Sequence, residues 1–540
     1  MRRRTGQCRK NERKMPTDKL ETLRSYFGHE SFRPGQEKLV DALLDGRDAL
    51  GIMPTGAGKS LCYQIPALMT PGIALVISPL ISLMKDQVAA LKSAGVPAAY
   101  LNSSLTPRQL DLATERAMQG MYRIIYVAPE RLETASFRRF AHNAPISLIA
   151  VDEAHCVSQW GQDFRPSYLK IADFILSLPK RPPVGAFTAT ATERVKKDIV
   201  RLLELTSPVE STTGFDRPNL MFEVLHPRHR DGALLELVRA RKGQCGIVYC
   251  ATRKAVEDVA DKLHDAGFAV GSYHAGMSDE SRRESQEDFQ FDRVQVMVAT
   301  NAFGMGIDKS NVNYVIHYNM PRSMEAYYQE AGRAGRDGAA ADCILLYSGA
   351  DIFTAKWMID HGEPNEELTA DEQESVRRED RRRLESMIGY CTTTGCLRQY
   401  ILRYFGEKAE GLCGHCGNCL GVENKAAESA PKPARKKHTE NRPMPPRQMV
   451  ETPEEAENPD DLLSLLKACR MKLAKQVRVP PYIICTDKTL ESMVARQPQT
   501  LDEMLDVHGM GTAKVGKYGA AFLLVVRRYA AAHPRTRGRG

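Results

Sequence analysis

The chain has 540 residues, 42% of them hydrophobic and 26% charged, with a formal net charge of +8. That length predicts three or four domains and excludes a single small module. The composition is that of a globular protein rather than a low-complexity one. No apolar stretch approaches the roughly twenty residues needed to span a bilayer, so no membrane association is expected.

The mild positive balance permits a polyanionic partner without requiring one. Thirteen cysteines and a basic N-terminus, MRRRTGQCRKNERK, without the apolar core of a signal peptide predict a reducing, cytoplasmic setting. Residues 1–15 read as a disordered tail, with Met15 as an alternative start.

From residue 16 to 350, short apolar runs alternate with amphipathic stretches. Buried parallel strands are predicted at 74–80, 124–129, 148–155 and 184–190, and again at 245–250, 268–274, 294–300 and 312–318. The fold class is α/β: two tandem parallel-sheet domains, 16–208 and 209–350, joined near 207–215. Residues 351–422 read as a helical, cysteine-rich module, and 423–458, proline-rich and without aromatics, as a flexible linker. Residues 459–535 carry helical periodicity at Leu462, Leu465, Leu466, Cys469 and Leu473 and predict a small all-α bundle before a basic tail at 536–540.

In open α/β sheets ligands sit beyond the carboxyl ends of the strands, so the polar strand tips are where chemistry is expected. The segment GIMPTGAGKS (51–60) follows an apolar run and opens a helix. Thr55, Gly56 and Gly58 would let backbone N–H groups surround phosphates, with the Lys59 ammonium on the β- and γ-phosphates and the Ser60 hydroxyl on magnesium. The strict form of this loop has glycine where Met53 stands. Asp152 and Glu153 end another apolar run, placing one carboxylate for a metal and one for a water. Neither motif is decisive alone, but together they predict ATP hydrolysis. Arg333 and Arg336, in QEAGRAGRD, lie in the second α/β block, which has no phosphate loop of its own. They are candidates to reach across a cleft to the γ-phosphate.

Cys396, Cys413, Cys416 and Cys419 are spaced as C-x16-C-x2-C-x2-C, which suits a structural, tetrahedral Zn2+. Cys391 reads as an ordinary thiol. Trp160 and Phe164 offer flat faces to nucleobases directly after the acidic pair.

The ordered series FRPGQ (32–36), the phosphate loop, SPLISLMKDQ (78–87), APERL (128–132), DEAHCVSQWGQDFRP (152–166), FTATAT (187–192), YCATRK (249–254), YHAGM (273–277), ATNAFGMGIDK (299–309) and YYQEAGRAGRDG (327–338) resembles a RecQ-family DNA helicase of superfamily two. The resemblance implies two RecA-like domains, with Gln36 hydrogen-bonding adenine and Arg33 and His29 stacking on it. Gln329, Gly304 and Asp308 would complete the nucleotide set. It implies that His155, Trp160, Phe164 and Arg165 belong to an aromatic loop coupling DNA contact to hydrolysis, with Thr188 and Thr190 relaying the change. Ser78, Lys85, Thr252, Arg253 and Thr300 would hold the phosphates of the strand.

The cysteine cluster resembles the family's zinc module, and the last segment resembles an HRDC domain, in which Tyr482, Lys514 and Lys517 are candidates for DNA contact. The family's winged-helix domain has no room in 423–458. The activity implied is ATP-dependent 3′→5′ translocation on single-stranded DNA and unwinding of branched duplexes in recombination and repair, including the SOS response. Single-strand-binding protein is the partner implied; a monomer is expected from the chain itself. An RNA helicase, or a DNA-stimulated translocase with weak unwinding, are the alternatives.

Overall fold

The computed structural model describes residues 18–79, 81–161, 164–303, 309–362, 369–421, 461–477 and 479–533. The expected tails at 1–15 and 536–540, the linker at 423–458, and Gly304 and Asp308 lie outside these residues.

The first sheet contains β1 (Ala49–Ile52), β2 (Ile73–Ile77), β3 (Ala98–Leu101), β4 (Ile124–Val127), β5 (Ile146–Val151), β6 (Val184–Thr188) and β7 (Val209–Thr212). All seven are parallel, in the order β3-β4-β2-β5-β6-β1-β7. The second sheet contains β8 (Leu220–Leu225), β9 (Gly246–Tyr249), β10 (Val270–Tyr273), β11 (Val296–Ala299), β12 (Tyr314–His317) and β13 (Ala341–Leu346). It too is wholly parallel, in the order β10-β11-β9-β12-β13-β8. Helices cover both faces, so the central strands are buried on both sides and read as unbroken apolar runs. Each of the eight sequence-predicted runs overlaps a strand.

The connector between the lobes overlaps the expected joint at 207–215 and runs beyond it. β7 pairs with β1 in the first sheet, so that sheet extends to Thr212, past the anticipated end at 208. The lobes are joined by residues 213–219, and this short connector matters below.

At the edge remote from the strand tips, Asp48 is 2% exposed and gathers three segments. Its carboxylate accepts from the Val184 and Thr206 N–H groups at 2.9 and 2.7 Å and from both terminal nitrogens of Arg181 at 3.0 and 2.7 Å. Behind the second sheet, helices Ala350–Asp360, Ala370–Thr392 and Leu397–Tyr404 carry the zinc module. The charge run at 372–383 lies on the long helix, whose start is closed by reciprocal Thr369–Glu372 hydrogen bonds. The C-terminal bundle has its own core around Leu466, Leu490, Met504 and Phe522.

Replacing Asp48 by Ala strands the buried Val184 N–H, the part-buried Thr206 N–H and a guanidinium. It should lower unfolding free energy by about 3 kcal/mol in denaturant titration, with nucleotide affinity unchanged because the residue is at the other end of the sheet.

Candidate active site: a nucleotide cleft closed by three walls

The first wall is the loop after β1. Gly56 and Gly58 have φ of +84° and +82°, a region that penalises side chains. A Cβ on Gly58 would also lie 2.6 Å from Gln36 Nε2. The helix Lys59–Met69 then points its N-terminus, and its partial positive charge, at the loop. Met53 fits without glycine because its φ is not positive. It is buried and its carbonyl accepts from Lys59 Nζ at 3.2 Å. Desolvation pushes the Lys59 pKa down from 10.5, opposed by the nearby Glu153 and Asp152 carboxylates.

Gln36 makes contacts beyond those expected. Its Oε1 accepts from the Arg33 N–H at 2.8 Å, and its Nε2 donates to the Ala57 and Gly58 carbonyls at 2.9 and 3.0 Å. The side-chain amide therefore holds the phosphate loop, with both donors spent there. The Arg33 guanidinium likewise donates to the Gly56 carbonyl.

Asp152 and Glu153 follow β5. Glu153 has φ 48° and ψ 45°, a left-handed conformation costing a non-glycine residue roughly 1–2 kcal/mol, and such strain clusters at functional sites. Its Oε2 is buried, accepts no hydrogen bond, and lies 3.4 Å from His155 Nδ1. That same nitrogen is 2.8 Å from Thr188 Oγ1, and Thr188 Oγ1 is bonded to the Thr190 backbone. The acid, the histidine and the threonines after β6 thus form one connected series. His155 is 2% exposed, so it acts inside this series rather than on a DNA surface.

The second wall is the loop after the helix Met324–Ala331 of the second lobe. Gln329, Arg333 and Arg336 line the same cavity as Thr55, Gly56, Gly58, Lys59, Ser60, Asp152 and Glu153; its volume is about 630 Å³. Arg333 Nε is buried without a hydrogen-bond partner.

The third wall was not foreseen. Tyr482, Lys488, His508 and Lys514 of the C-terminal bundle line this cavity beside His29 and Arg33. The His29 and His508 rings are 5.4 Å apart. Burial, then the charges of His508, Arg33, Lys514 and Lys488, push the His29 pKa down to about 4, leaving a neutral ring of the kind that stacks on a base. The bundle is bonded in place: Gly509 N–H donates to the Gly28 carbonyl at 3.0 Å, and Lys517 Nζ donates to the Lys92 and Ser93 carbonyls at 3.0 and 2.8 Å. Tyr518 Oη is 3.4 Å from Ser93 Oγ. Lys514 and Tyr482 line the nucleotide cavity and Lys517 is bonded to the first lobe.

The Cys396, Cys413, Cys416 and Cys419 sulfurs lie within 4.8 Å of one another. Two pairs are 3.8 and 3.9 Å apart, matching the edge of a tetrahedron with Zn–S bonds of about 2.3 Å. The donor set fits structural Zn2+.

Family comparisons agree with this geometry. The DEAD/DEAH box helicase family matches residues 33–199, the helicase conserved C-terminal domain 230–338, RecQ zinc-binding 349–420 and HRDC 460–526. The chain is 38% identical to the ATP-dependent DNA helicase RecQ of Bacillus subtilis, covering 94% of this chain and 98% of the relative. It is 35% identical to that of Haemophilus influenzae, covering 95% and 96%. The chain belongs to the RecQ family of ATP-dependent DNA helicases.

The DEAD-box helicase Mss116, solved with single-stranded RNA, superposes with a TM-score of 0.54 at 17% identity, covering 72% of this chain and 90% of that one, a likeness of fold. The Bacillus alignment runs over 591 positions, more than the 540 residues here, so that RecQ carries sequence for which this chain has no counterpart. Between the zinc-binding and HRDC matches only residues 421–459 remain, in keeping with a RecQ core lacking a winged helix. Among the described residues no helix is long and apolar enough to cross a membrane.

The residues expected to meet the DNA strand divide by exposure. Lys85 and Arg253 are exposed, whereas Ser78 and Thr300 are buried, at 0% and 9%. Thr252 caps the helix Arg253–Asp265, accepting from the Ala255 N–H at 3.1 Å. Trp160 and Phe164 are half-buried. The Trp160 ring is covered by the Arg194 guanidinium at 3.3 Å and packs in part against the core of the lobes. Arg165 donates to the Pro79 carbonyl at 3.3 Å.

Sequence reasoning missed Arg217 and Arg398, whose acceptors are mostly backbone carbonyls. Arg398, two residues after the zinc ligand Cys396, donates to Asp216 and to the Arg217 and Leu220 carbonyls, the Arg217 bond being 2.8 Å. It ties the zinc module to the connector between the lobes.

Two outcomes are expected. In Gly511→Val the new Cβ would meet the Ser25 and Arg24 carbonyls at 2.9 and 3.1 Å; this should push the bundle off the first lobe and raise the KM for ATP about threefold to tenfold, read in steady-state ATPase assays. Stripping zinc with a chelator should free Arg398 along with Cys396, so melting temperature and DNA-stimulated ATPase should fall together, as in Cys416→Ser.

Proposed function

We propose that this RecQ-family helicase hydrolyses ATP between its lobes to move 3′→5′ along single-stranded DNA, separating branched duplexes in recombination and repair. The juxtaposition of Lys59, Glu153, Arg333 and Arg336 around one cavity carries this reading: phosphate cradle, base and cationic finger converge from two lobes. Lys59 and the helix N-terminus neutralise the β- and γ-phosphates. Ser60 and Asp152 are the residues that would hold Mg2+, which when bound offsets charge on the phosphates. A water attacks the γ-phosphorus, the bond to the ADP oxygen breaks, and Glu153 takes the proton of the water. Arg333 and Arg336 stabilise charge on the transferring group.

Occupancy of the γ-phosphate position is felt by Glu153, passed to His155 at 3.4 Å and on to Thr188 at 2.8 Å. From there it reaches the strand tips where Trp160, Lys85 and Arg253 meet DNA. Phosphate contacts hold the strand without reading sequence. The chain acts on cytoplasmic chromosomal DNA, at single-stranded tails that a single-strand-binding protein also occupies.

Glu153→Gln should bind ATP yet lose at least a hundredfold in kcat, and with it all separation of a duplex bearing a 3′ single-stranded tail. The short segment 421–459 favours a second reading, a translocase that unwinds weakly. DNA-stimulated ATPase without strand separation would select it, and stimulation by RNA alone would overturn both.

A further inference from the structure

Arg217 lies in the connector between β7 and β8. Its guanidinium has five N–H donors, and the structure supplies an acceptor for each. Nε donates to Asn219 Oδ1 at 3.3 Å. One terminal nitrogen donates to the Thr55 carbonyl at 2.7 Å and the Gly332 carbonyl at 3.4 Å. The other donates to the Ala334 and Gly335 carbonyls at 3.0 and 2.8 Å. Thr55 belongs to the phosphate loop of the first lobe, and Gly332, Ala334 and Gly335 to the arginine loop of the second. One side chain thus spans the nucleotide cleft through backbone atoms.

The two loops are close enough there that a Cβ on Gly56 would stand 3.6 Å from the Arg217 guanidinium and 3.5 Å from the Arg336 Cα. Arg217 does not line the cavity; it lies behind the two loops that do. Burial lowers its pKa, and the neighbouring Arg336 and Arg33 lower it further. A buried cation bonded to neutral carbonyls is costly to keep, and it rests on a buttressed connector. Phe215 stacks on Phe405 at 4.4 Å, Tyr328 Oη donates to the Phe215 carbonyl at 2.8 Å, and Arg398 holds the Arg217 carbonyl.

From this geometry we infer that Arg217 is a positioning residue for ATP hydrolysis: a latch that sets the distance from the phosphate loop to Arg333 and Arg336 when the cleft is closed. It acts through those two loops and touches no reacting atom. A lysine cannot replace it, because three donors on one nitrogen cannot fork to both lobes.

The inference rests on the ATPase reading above, and its test has one arm that does not. In hydrogen exchange of the full chain, Arg217→Gln should speed exchange in both 53–58 and 332–339 while β5 and β12 keep their protection. Unchanged exchange in either loop overturns the latch, whether or not the chain hydrolyses ATP.

In DNA-stimulated ATPase, Arg217→Gln should lower kcat about tenfold to a hundredfold, the scale of a small misplacement of a catalytic group, with KM for ATP changed less than threefold. Combined with Arg336→Ala, the losses should be markedly less than additive, since a misplaced finger has little left to lose. Additive losses, full rescue by Arg217→Lys, or a fall in melting temperature with kcat intact would each overturn it. A wild-type chain with no ATPase would sink the hydrolysis reading alone, leaving the exchange result to judge the latch.

Discussion

The nucleotide cleft holds more positive charge than the chain itself neutralises, and much of the architecture follows from that imbalance. Arg33, Lys59, Arg333, Arg336, Lys488 and Lys514 line one cavity with Glu30, Asp86, Asp152 and Glu153. Desolvation pushes Arg33, Lys59 and Lys514 down from their ordinary pKa values, a sign that charge is held there at a cost. A polyphosphate is the anion that relieves the cost, and it does so at a point reached from both lobes and the C-terminal bundle. Binding energy of this kind is available to draw the three walls together.

The position of the walls depends on backbone rather than on ion pairs. Arg33, Gln36, Arg217 and Lys59 all end on carbonyls of the phosphate or arginine loops. Carbonyl acceptors fix a loop's shape without cancelling the cation that binds them, so the positive field of the cleft survives its own scaffolding. The zinc module enters the same scheme from behind: Cys396 opens the helix that carries Arg398, and Arg398 grips the connector from which Arg217 reaches forward. A metal site far from the chemistry thereby bears on the geometry of the finger.

Most of this fold was legible in the sequence because parallel strands buried on both faces leave continuous apolar runs. Of the five strands that escaped notice, β1 and β13 are buried apolar runs left unassigned, and the other three lack that signature. β3 is alanine-rich, β7 is polar and partly exposed at the sheet edge, and β8 alternates buried and half-buried positions on the other sheet's edge. Asp152, Glu153 and Lys59 were legible as motifs at strand ends, and the structure brings them to one cavity. Arg217 was not legible, because its partners are main-chain atoms that any residue supplies. The Gln36 carboxamide was assigned to the base, and its bonds to the phosphate loop were not foreseen because their acceptors are again main-chain atoms.

The bundle shows the same ambiguity with a functional edge. Lysines in a glycine-rich turn present one pattern whether they meet a phosphate backbone or carbonyls of their own chain. Here Lys517 spends two donors on Lys92 and Ser93, and Lys514 and His508 look into the nucleotide cavity. Two of the three Lys517 donors are thus engaged within the chain. The charge of this turn is therefore spent, at least in part, on seating the bundle beside the nucleotide cavity.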